Sequence, residues 1–260
     1  MTTTRAIVLR AAGINCDGET VRALKLAGAR TELVHLERVL REPARLEDCS
    51  LLVLPGGFSY GDDVAAGRVF GFEMRLGLSR ELQAFVARGG YVLGVCNGFQ
   101  VLVESGLLEP QAGARAIALA NNQSARFECR WISLRAQPCA ASWLETQAIL
   151  PAPIAHGEGR VCVRDEATLA RLERNGQIAL RYVRADGSPA RGYPDNPNGS
   201  IGDIAGLCDR TGRVLGLMPH PERNLDPWNH PHWTRRPPRA EGEGLAFYRR
   251  LVEAAAFAPV

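Results

Sequence analysis

The sequence predicts an α/β fold in which an open, mostly parallel sheet carries helices on both faces and continues into an antiparallel extension. In the first half of the chain, apolar runs of strand length alternate with helix-like runs, as in doubly wound sheets. Gly28, Gly89 and Gly106 stand where helices are expected to end. After residue 116, the strand candidates alternate between apolar and polar residues, which favours antiparallel pairing. The expected fold class is therefore flavodoxin-like.

The individual elements follow from the same pattern, taken in chain order. The predicted strands cover residues 5–10, 31–35, 50–54, 91–95, 116–120, 127–135, 177–183 and 214–218. The predicted helices cover residues 19–27, 79–88, 97–105, 166–175 and 244–256. No linker or shift in composition divides the chain, so residues 1–260 are predicted to form a single domain.

Composition excludes several classes of function. The net charge of +3 is small and the arginines are interspersed with acidic residues, which argues against nucleic-acid binding. The seven cysteines have no regular spacing, which favours reduced thiols in a reducing compartment. No run reaches transmembrane length and no signal peptide is recognisable, so we expect a cytoplasmic protein without a membrane partner. Lys25 is the only lysine and lies outside any glycine-rich loop, so the chain has no phosphate-binding loop for ATP.

The most distinctive motif is Gly-Val-Cys-Asn-Gly-Phe-Gln, which runs from Gly94 to Gln100 between a predicted strand and a predicted helix. Glycines on both sides of Cys96 allow the tight turn of a nucleophile elbow. Such a turn places the sulfur over a helix N-terminus, where the dipole favours the reactive thiolate. The backbone N–H of Asn97 would then point to a developing oxyanion. A lone cysteine is usually a small buried hydrophobe, but the other six lack this glycine framing.

A thiol nucleophile needs a base, and His220 is the best candidate among the five histidines. It lies in Met-Pro-His-Pro-Glu-Arg, directly after the apolar strand at 214–218. The two prolines favour extended backbone, in which His220 and Glu222 point the same way. Glu222 can then orient the imidazole. The alternative is an ordinary surface turn, but two such motifs at two strand ends favour a shared site at one sheet edge.

A third motif is the Pro-Gly-Gly turn that ends the strand at 50–54. Glycine backbone can approach a ligand closely and donate N–H groups, so Gly57 is a candidate second oxyanion donor. By itself this motif could equally be an ordinary turn.

His230 and His232 form the only close histidine pair, but no cysteine or acidic ligand stands beside them, so no metal site is expected.

Together these segments resemble the class I, triad-type glutamine amidotransferases and, within them, the glutaminase subunits of phosphoribosylformylglycinamidine synthase. The elbow and the His-Pro-Glu motif indicate only the class. The motifs Phe-Ser-Tyr-Gly-Asp, His-Gly-Glu-Gly and Pro-His-Pro-Glu-Arg are typical of the subfamily. The matching segments follow the family's order and cover residues 13–17, 55–62, 94–100, 122–128, 156–159 and 218–223. The chain departs from the family at Ala12, where many members have proline, and in a longer segment at 228–244.

The resemblance implies a catalytic triad of Cys96, His220 and Glu222, with Gly57 and Asn97 as oxyanion donors. It also implies a glutamine pocket formed by Gln100, Asn122, Ser124 and Phe127. The implied reaction is hydrolysis of L-glutamine to glutamate and ammonia. The ammonia would pass to a synthetase subunit that makes formylglycinamidine ribonucleotide in purine biosynthesis. ATP and magnesium are expected on that partner and no cofactor on this chain, and a small accessory subunit is a further candidate partner.

Two alternatives remain at this point. One is a freestanding cysteine hydrolase of the related peptidase-like superfamily, and the other is a binding subunit with an inactive triad. The acid two residues after His220, together with Gln100, favours the glutaminase over the hydrolase. The presence of all three triad residues argues against an inactive subunit. Segments 58–64, 156–159 and 228–244 carry no triad residue and are candidates for a response to a partner.

Overall fold

A computed structural model describes residues 4–109, 115–146 and 148–256. Its strands are β1 (Arg5–Arg10), β2 (Arg30–His35), β3 (Leu51–Leu54), β4 (Tyr91–Val95), β5 (Ile117–Asn121), β6 (Glu128–Ala136), β7 (Ile149–His156), β8 (Glu158–Val163), β9 (Ile178–Val183), β10 (Ile204–Cys208) and β11 (Val214–Leu217). Its α-helices are α1 (Asp17–Leu26), α2 (Leu36–Arg41), α3 (Arg68–Ala87), α4 (Asn97–Ser105), α5 (Glu166–Arg174) and α6 (Glu243–Ala256).

Nine of the strands form one sheet, in the order β2-β1-β3-β4-β11-β10-β9-β6-β7. The first five are parallel to one another. From β11 onwards each strand pairs antiparallel to its neighbour. The predicted flavodoxin-like class with an antiparallel extension is therefore confirmed. β3 and β4 read as continuous apolar runs because helices cover the parallel half on both faces.

Two pairs of helices cover the parallel half of the sheet. α1 packs against α6 and against β1 and β2. α4 packs against α3 and against β3, β4 and β11. The contact between α3 and α4 is close, because a Cβ on Gly71 would lie 2.9 Å from the backbone oxygen of Val101. Within the residues described, none of the helices is both long and apolar enough to cross a membrane.

Several elements differ from the sequence prediction. α3 begins at Arg68 instead of residue 79. Gly71 and Gly77 weaken the helix signal in the sequence, but packing against α4 stabilises the helix in the folded protein. β7 was not predicted, since Pro151 and Pro153 interrupt its pattern; as an edge strand it tolerates both. β8, β10 and α2 were also missed. β5 was predicted as part of the extension, but it pairs only with β8 in a separate two-stranded sheet.

The antiparallel extension ends in β7, which folds back to the end of the parallel half where β4 and β11 terminate. The amide of His220, just after β11, donates to the backbone oxygen of Pro153 in β7 at 2.9 Å. The sulfur of Cys96, which follows β4, lies 3.8 Å from the backbone oxygen of Ala155 in β7. β7 therefore forms one wall of the region where β4 and β11 end.

Candidate active site

Cys96 occupies a strained turn between β4 and α4. Its φ of 52° and ψ of −107° are unusual for a residue with a side chain, and such strain is characteristic of functional turns. The Cys96 amide donates to the Leu217 oxygen at 2.8 Å, which ties the turn to β11. Glycine is required beside it, because a Cβ on Gly98 would collide with the Leu54 backbone oxygen of β3. The predicted strand–turn–helix arrangement is confirmed.

His220 and Glu222 face the same site from the loop after β11, where Pro221–Arg223 form a 3₁₀ turn instead of the predicted extended backbone. His220 Nδ1 lies 2.6 Å from Glu222 Oε1, and both side chains are almost completely buried. Because the carboxylate accepts, Nδ1 is the donor and carries a proton. The other carboxylate oxygen accepts from the Tyr248 hydroxyl at 3.3 Å. Glu222 is therefore held from two sides and fixes the orientation of the imidazole.

Cys96 and His220 converge on the Pro-Gly-Gly turn after β3. A Cβ on Gly56 would lie 2.8 Å from His220 Cε1 and 3.4 Å from Cys96 Cβ. Burial by itself lowers the pKa of His220, but the Glu222 carboxylate and Cys96 raise it to about 10. Nε2 of His220 has no hydrogen-bond partner within the described part of the chain. The imidazole is thus poised to carry a proton near neutral pH and to transfer it through Nε2.

The two predicted oxyanion donors are the backbone amides of Gly57, which follows Gly56 near Cys96, and of Asn97, which follows Cys96 directly. Gly57 forms a bridge with Ile14 and has a φ of 147°; a Cβ there would lie 2.7 Å from Ile14 Cα. Only glycine fits this close approach. Asn97 provides the first amide of α4. Neither amide donates to an acceptor among the described residues, so both are available to an oxyanion. Their role as oxyanion donors stays a prediction.

Gln100 links the elbow to β8. Its Nε2 donates to the backbone oxygen of Glu158, and its Oε1 accepts from Asn97 Nδ2 at 2.9 Å. Asn97 Oδ1 in turn accepts from the amide of Ser59 at 3.2 Å. The Gln100 carboxamide therefore links α4 to the start of β8, and its contact with a substrate stays a prediction.

Ser124 and Phe127, the other predicted pocket residues, lie at the exposed rim. The Ser124 hydroxyl donates to Glu128 Oε1 at 2.8 Å. Phe127 is 54% exposed and stacks on Phe58, with ring centroids 6.5 Å apart. The loop after β5 and the loop after β3 thus meet across the entrance. Direct contact of these two side chains with a substrate stays a prediction.

Asn122 is buried, and its whole amide is used inside the protein. Nδ2 donates to the backbone oxygens of Arg126 at 2.9 Å and His156 at 2.7 Å. Oδ1 lies 3.0 Å from His156 Nδ1 and accepts from the Gly159 amide at 3.2 Å. Asn122 therefore holds His156 and Gly159 in place, and its predicted contact with a substrate stays a prediction.

His156 is the site residue to which sequence reasoning gave no chemical role. The signal was present in the His-Gly-Glu-Gly motif, but nothing in the motif shows that the imidazole is buried. The side chain is 3% exposed, and burial, together with the nearby His220, lowers its pKa to about 3. The ring is therefore neutral at physiological pH.

The buried His156 should make the protein sensitive to acid. The unfolded chain binds a proton near pH 6.5, whereas the folded chain does so only near pH 3. The stability that His156 contributes is therefore fully present above pH 6.5 and is lost as the pH falls, by up to about 1.4 kcal/mol per pH unit. Urea unfolding at several pH values should show a steeper acid loss for the wild type than for His156→Gln. Parallel profiles for the two proteins would contradict this expectation.

A second thiol, Cys16, lies beside the triad but is electrostatically different. Ligand-type atoms of Cys16, Glu19, His220 and Glu222 all lie within 4.8 Å of one another. The guanidinium of Arg223 already supplies a cation there, since it donates to Glu19 at 2.8 Å and to Cys16 Sγ at 3.2 Å. Burial, with Glu19 nearby, raises the pKa of Cys16 well above its usual range. Cys16 is therefore a neutral, weakly nucleophilic thiol.

Comparison with known proteins agrees with this geometry. The CobB/CobQ-like glutamine amidotransferase domain matches residues 3–253. The phosphoribosylformylglycinamidine synthase subunit PurQ of Dehalococcoides mccartyi is 41% identical over 256 residues, covering 97% of this chain and 98% of that protein. The PurQ subunit of Treponema denticola is 44% identical over 238 residues, covering 85% and 88%.

Among solved structures, a chain of PurLQS from Thermotoga maritima is 30% identical and superposes with a TM-score of 0.71. The match covers 97% of this chain and 99% of that chain. Sequence and fold therefore agree along nearly the whole length. The chain belongs to the CobB/CobQ-like glutamine amidotransferase domain family, in the group formed by the PurQ subunits of phosphoribosylformylglycinamidine synthase.

Proposed function

We propose that this chain is the glutaminase subunit of a phosphoribosylformylglycinamidine synthase. It hydrolyses L-glutamine and supplies the ammonia to a synthetase subunit that makes formylglycinamidine ribonucleotide in purine biosynthesis. The observation that carries the proposal is the buried arrangement of Cys96, His220 and Glu222 at the ends of β4 and β11, in a chain of amidotransferase ancestry.

In the first half-reaction, the Cys96 thiolate attacks the side-chain carboxamide carbon of glutamine. The amides of Gly57 and Asn97 stabilise the oxyanion that forms. The C–N bond breaks as His220 gives its Nε2 proton to the nitrogen, which leaves as ammonia. Glu222 stabilises the imidazolium beforehand and keeps the ring oriented, and a γ-glutamyl thioester remains on Cys96.

In the second half-reaction, water attacks the thioester carbon. His220, now neutral, accepts a proton from the water at Nε2. The C–S bond breaks, glutamate leaves, and the thiolate–imidazolium pair is restored. The same oxyanion donors serve both steps because both pass through a tetrahedral intermediate at the same carbon.

The synthetase is the proposed partner, and ATP and magnesium act on it. The PurQ names of the relatives and the PurLQS assembly support this arrangement. A small accessory subunit is a further proposed component, and the proposed location is the cytoplasm. The whole chain is proposed to act as one domain. Trp228 and Trp233 are 62% and 51% exposed, and large exposed aromatics of this kind favour a docking role for the 228–244 segment.

The proposal predicts weak glutaminase activity for the free chain and a large rise when the synthetase and its nucleotide ligands are added. Glutamate release at saturating glutamine, with and without the partner, measures both rates. Trp233→Ala should reduce the stimulated rate several-fold more than the basal rate. Leu26→Ala, which also trims an exposed apolar side chain but lies on α1, is the matched control and should change neither.

Equal rates with and without the synthetase would instead favour the freestanding hydrolase. Failure to release glutamate under any of these conditions would reject the glutaminase itself. A Trp233→Ala protein with unchanged stimulation would leave the glutaminase in place but remove the 228–244 segment from the docking surface.

A further inference from the structure

His156, at the end of β7, has a ring nitrogen that no other described residue uses. Nε2 is buried and has no hydrogen-bond partner within the described part of the chain. The residue as a whole is 3% exposed. A buried polar atom without a partner is unfavourable, and each such atom needs an explanation, of which a catalytic role is one.

The neighbouring Asn122 determines which ring nitrogen carries the proton. Asn122 Nδ2 donates to two backbone oxygens, those of Arg126 and His156. Its Oδ1 is therefore the acceptor and already receives the Gly159 N–H at 3.2 Å. His156 Nδ1, 3.0 Å from the same oxygen, must donate to it. Nε2 consequently presents a lone pair and acts only as an acceptor.

The acceptor is also uncharged. Burial and the proximity of His220 lower the pKa of His156 to about 3. The ring therefore stays neutral while His220, whose pKa is raised to about 10, carries a proton. A neutral imidazole of such low basicity can accept an N–H hydrogen bond without taking the proton. A carboxylate in the same place would instead stabilise ammonium by its negative charge.

The residue before His156 contacts the nucleophile. The backbone oxygen of Ala155, the preceding residue, is 3.8 Å from Cys96 Sγ. His220 lies close enough to His156 to lower the pKa of that ring. In the reaction proposed above, the atom that departs next to His220 is the carboxamide nitrogen. That nitrogen carries N–H donors throughout the step, and His156 Nε2 is an acceptor that no described residue uses.

We propose that His156 Nε2 accepts a hydrogen bond from the leaving nitrogen as the C–S bond forms, the C–N bond breaks and His220 delivers the proton. This inference rests on the proposed glutaminase function. It makes His156 a catalytic residue that selects for an amide leaving group. An alkoxide leaving group, which has no hydrogen to donate, gains nothing from this acceptor.

The test compares two substrates with the same acyl group, L-glutamine and the γ-methyl ester of L-glutamate. Removing the acceptor with His156→Phe should lower kcat/KM for glutamine by about 10- to 100-fold and for the ester by less than about threefold. His156→Gln, which restores an amide oxygen acceptor, should recover part of the glutamine activity. His35→Phe, a substitution at an exposed histidine that ends β2, is the matched control and should leave both values unchanged.

The outcomes separate the inference from the proposed function. Equal losses on both substrates in the His156→Phe protein would overturn the leaving-group role and indicate a structural one. If the His156→Phe protein does not fold, His156→Asn replaces it, because its amide is too short to reach the position of His156 Nε2. The loss in kcat/KM for glutamine is then compared with the loss for the ester in the same way. A wild-type protein that cleaves the ester but not glutamine would overturn the inference and the proposed function together. Activity on the ester also shows that the variant retains a folded site and a working Cys96.

Discussion

Replacing Cys96 with alanine is expected to abolish glutamine hydrolysis, with a loss of about four orders of magnitude or more. The sulfur forms the covalent intermediate, and no neighbouring group can take over this step. Cys16 is the only other thiol among the described residues at the triad, and its raised pKa keeps it neutral. Glutamate release by the purified chain together with its synthetase measures the loss.

The same variant should still support synthesis from added ammonia in the assembled complex. Only cleavage of the amide needs the thiolate, so the ammonia-dependent rate controls for folding and assembly. Cys129→Ala, which removes an exposed thiol on β6, is the matched control and should retain full glutamine-dependent activity. A Cys96→Ala complex that kept even a tenth of its glutaminase activity would reject Cys96 as the nucleophile.

Replacing His220 should be nearly as damaging, because nucleophile and base act as a unit. His220→Ala also leaves the buried Glu222 carboxylate without its partner, which is expected to destabilise the fold by about 3–5 kcal/mol. His220→Gln keeps a hydrogen-bond donor for Glu222 but cannot shuttle protons. It should therefore fold and still be inactive, and thermal unfolding beside the glutaminase assay checks both points.

Glu222→Gln should have a milder effect, a loss roughly 10- to 100-fold smaller than that of His220→Gln. The amide can still hydrogen-bond to the ring, but it no longer stabilises the imidazolium by charge. Alkylation of Cys96 near pH 7, followed by peptide mapping, gives an independent measurement. The rate should fall in both His220 variants, because the imidazolium that stabilises the thiolate is gone. Unchanged alkylation would show that His220 is not the partner of Cys96.

The chemistry of the site was predictable because its signals are local. Gly94 and Gly98 around Cys96 indicate a tight turn whatever the rest of the fold. The prolines flanking His220 predict extended backbone, with Glu222 on the same side as the imidazole. Pro221–Arg223 form a 3₁₀ turn instead, so the predicted backbone is wrong while the pairing of the two residues is right. The hydrogen bond of 2.6 Å between His220 and Glu222 forms within this turn, because the two residues are only two positions apart.

The missed elements are those for which local signals and tertiary packing disagree. The start of α3 contains Gly71, which is unfavourable in an isolated helix but allows close packing on α4. β7 contains Pro151 and Pro153, which weaken the strand pattern, yet its edge position needs no amide donor there. Both elements gain their stability from partners distant in the sequence, and propensity rules do not include such partners.

The sequence by itself determined the fold class, the strand-to-helix turn at Cys96 and the residue types available for catalysis, because these depend on periodicity and on glycine and proline geometry. Only the tertiary structure decided which groups remain free to react. The amide of Asn122 is used in hydrogen bonds to His156 and Gly159. Nε2 of His156, in contrast, has no partner among the described residues and is a neutral acceptor. Burial and the choice of hydrogen-bond partners arise from contacts such as that of Ala155 with Cys96, which form only when β7 folds back to the end of β4.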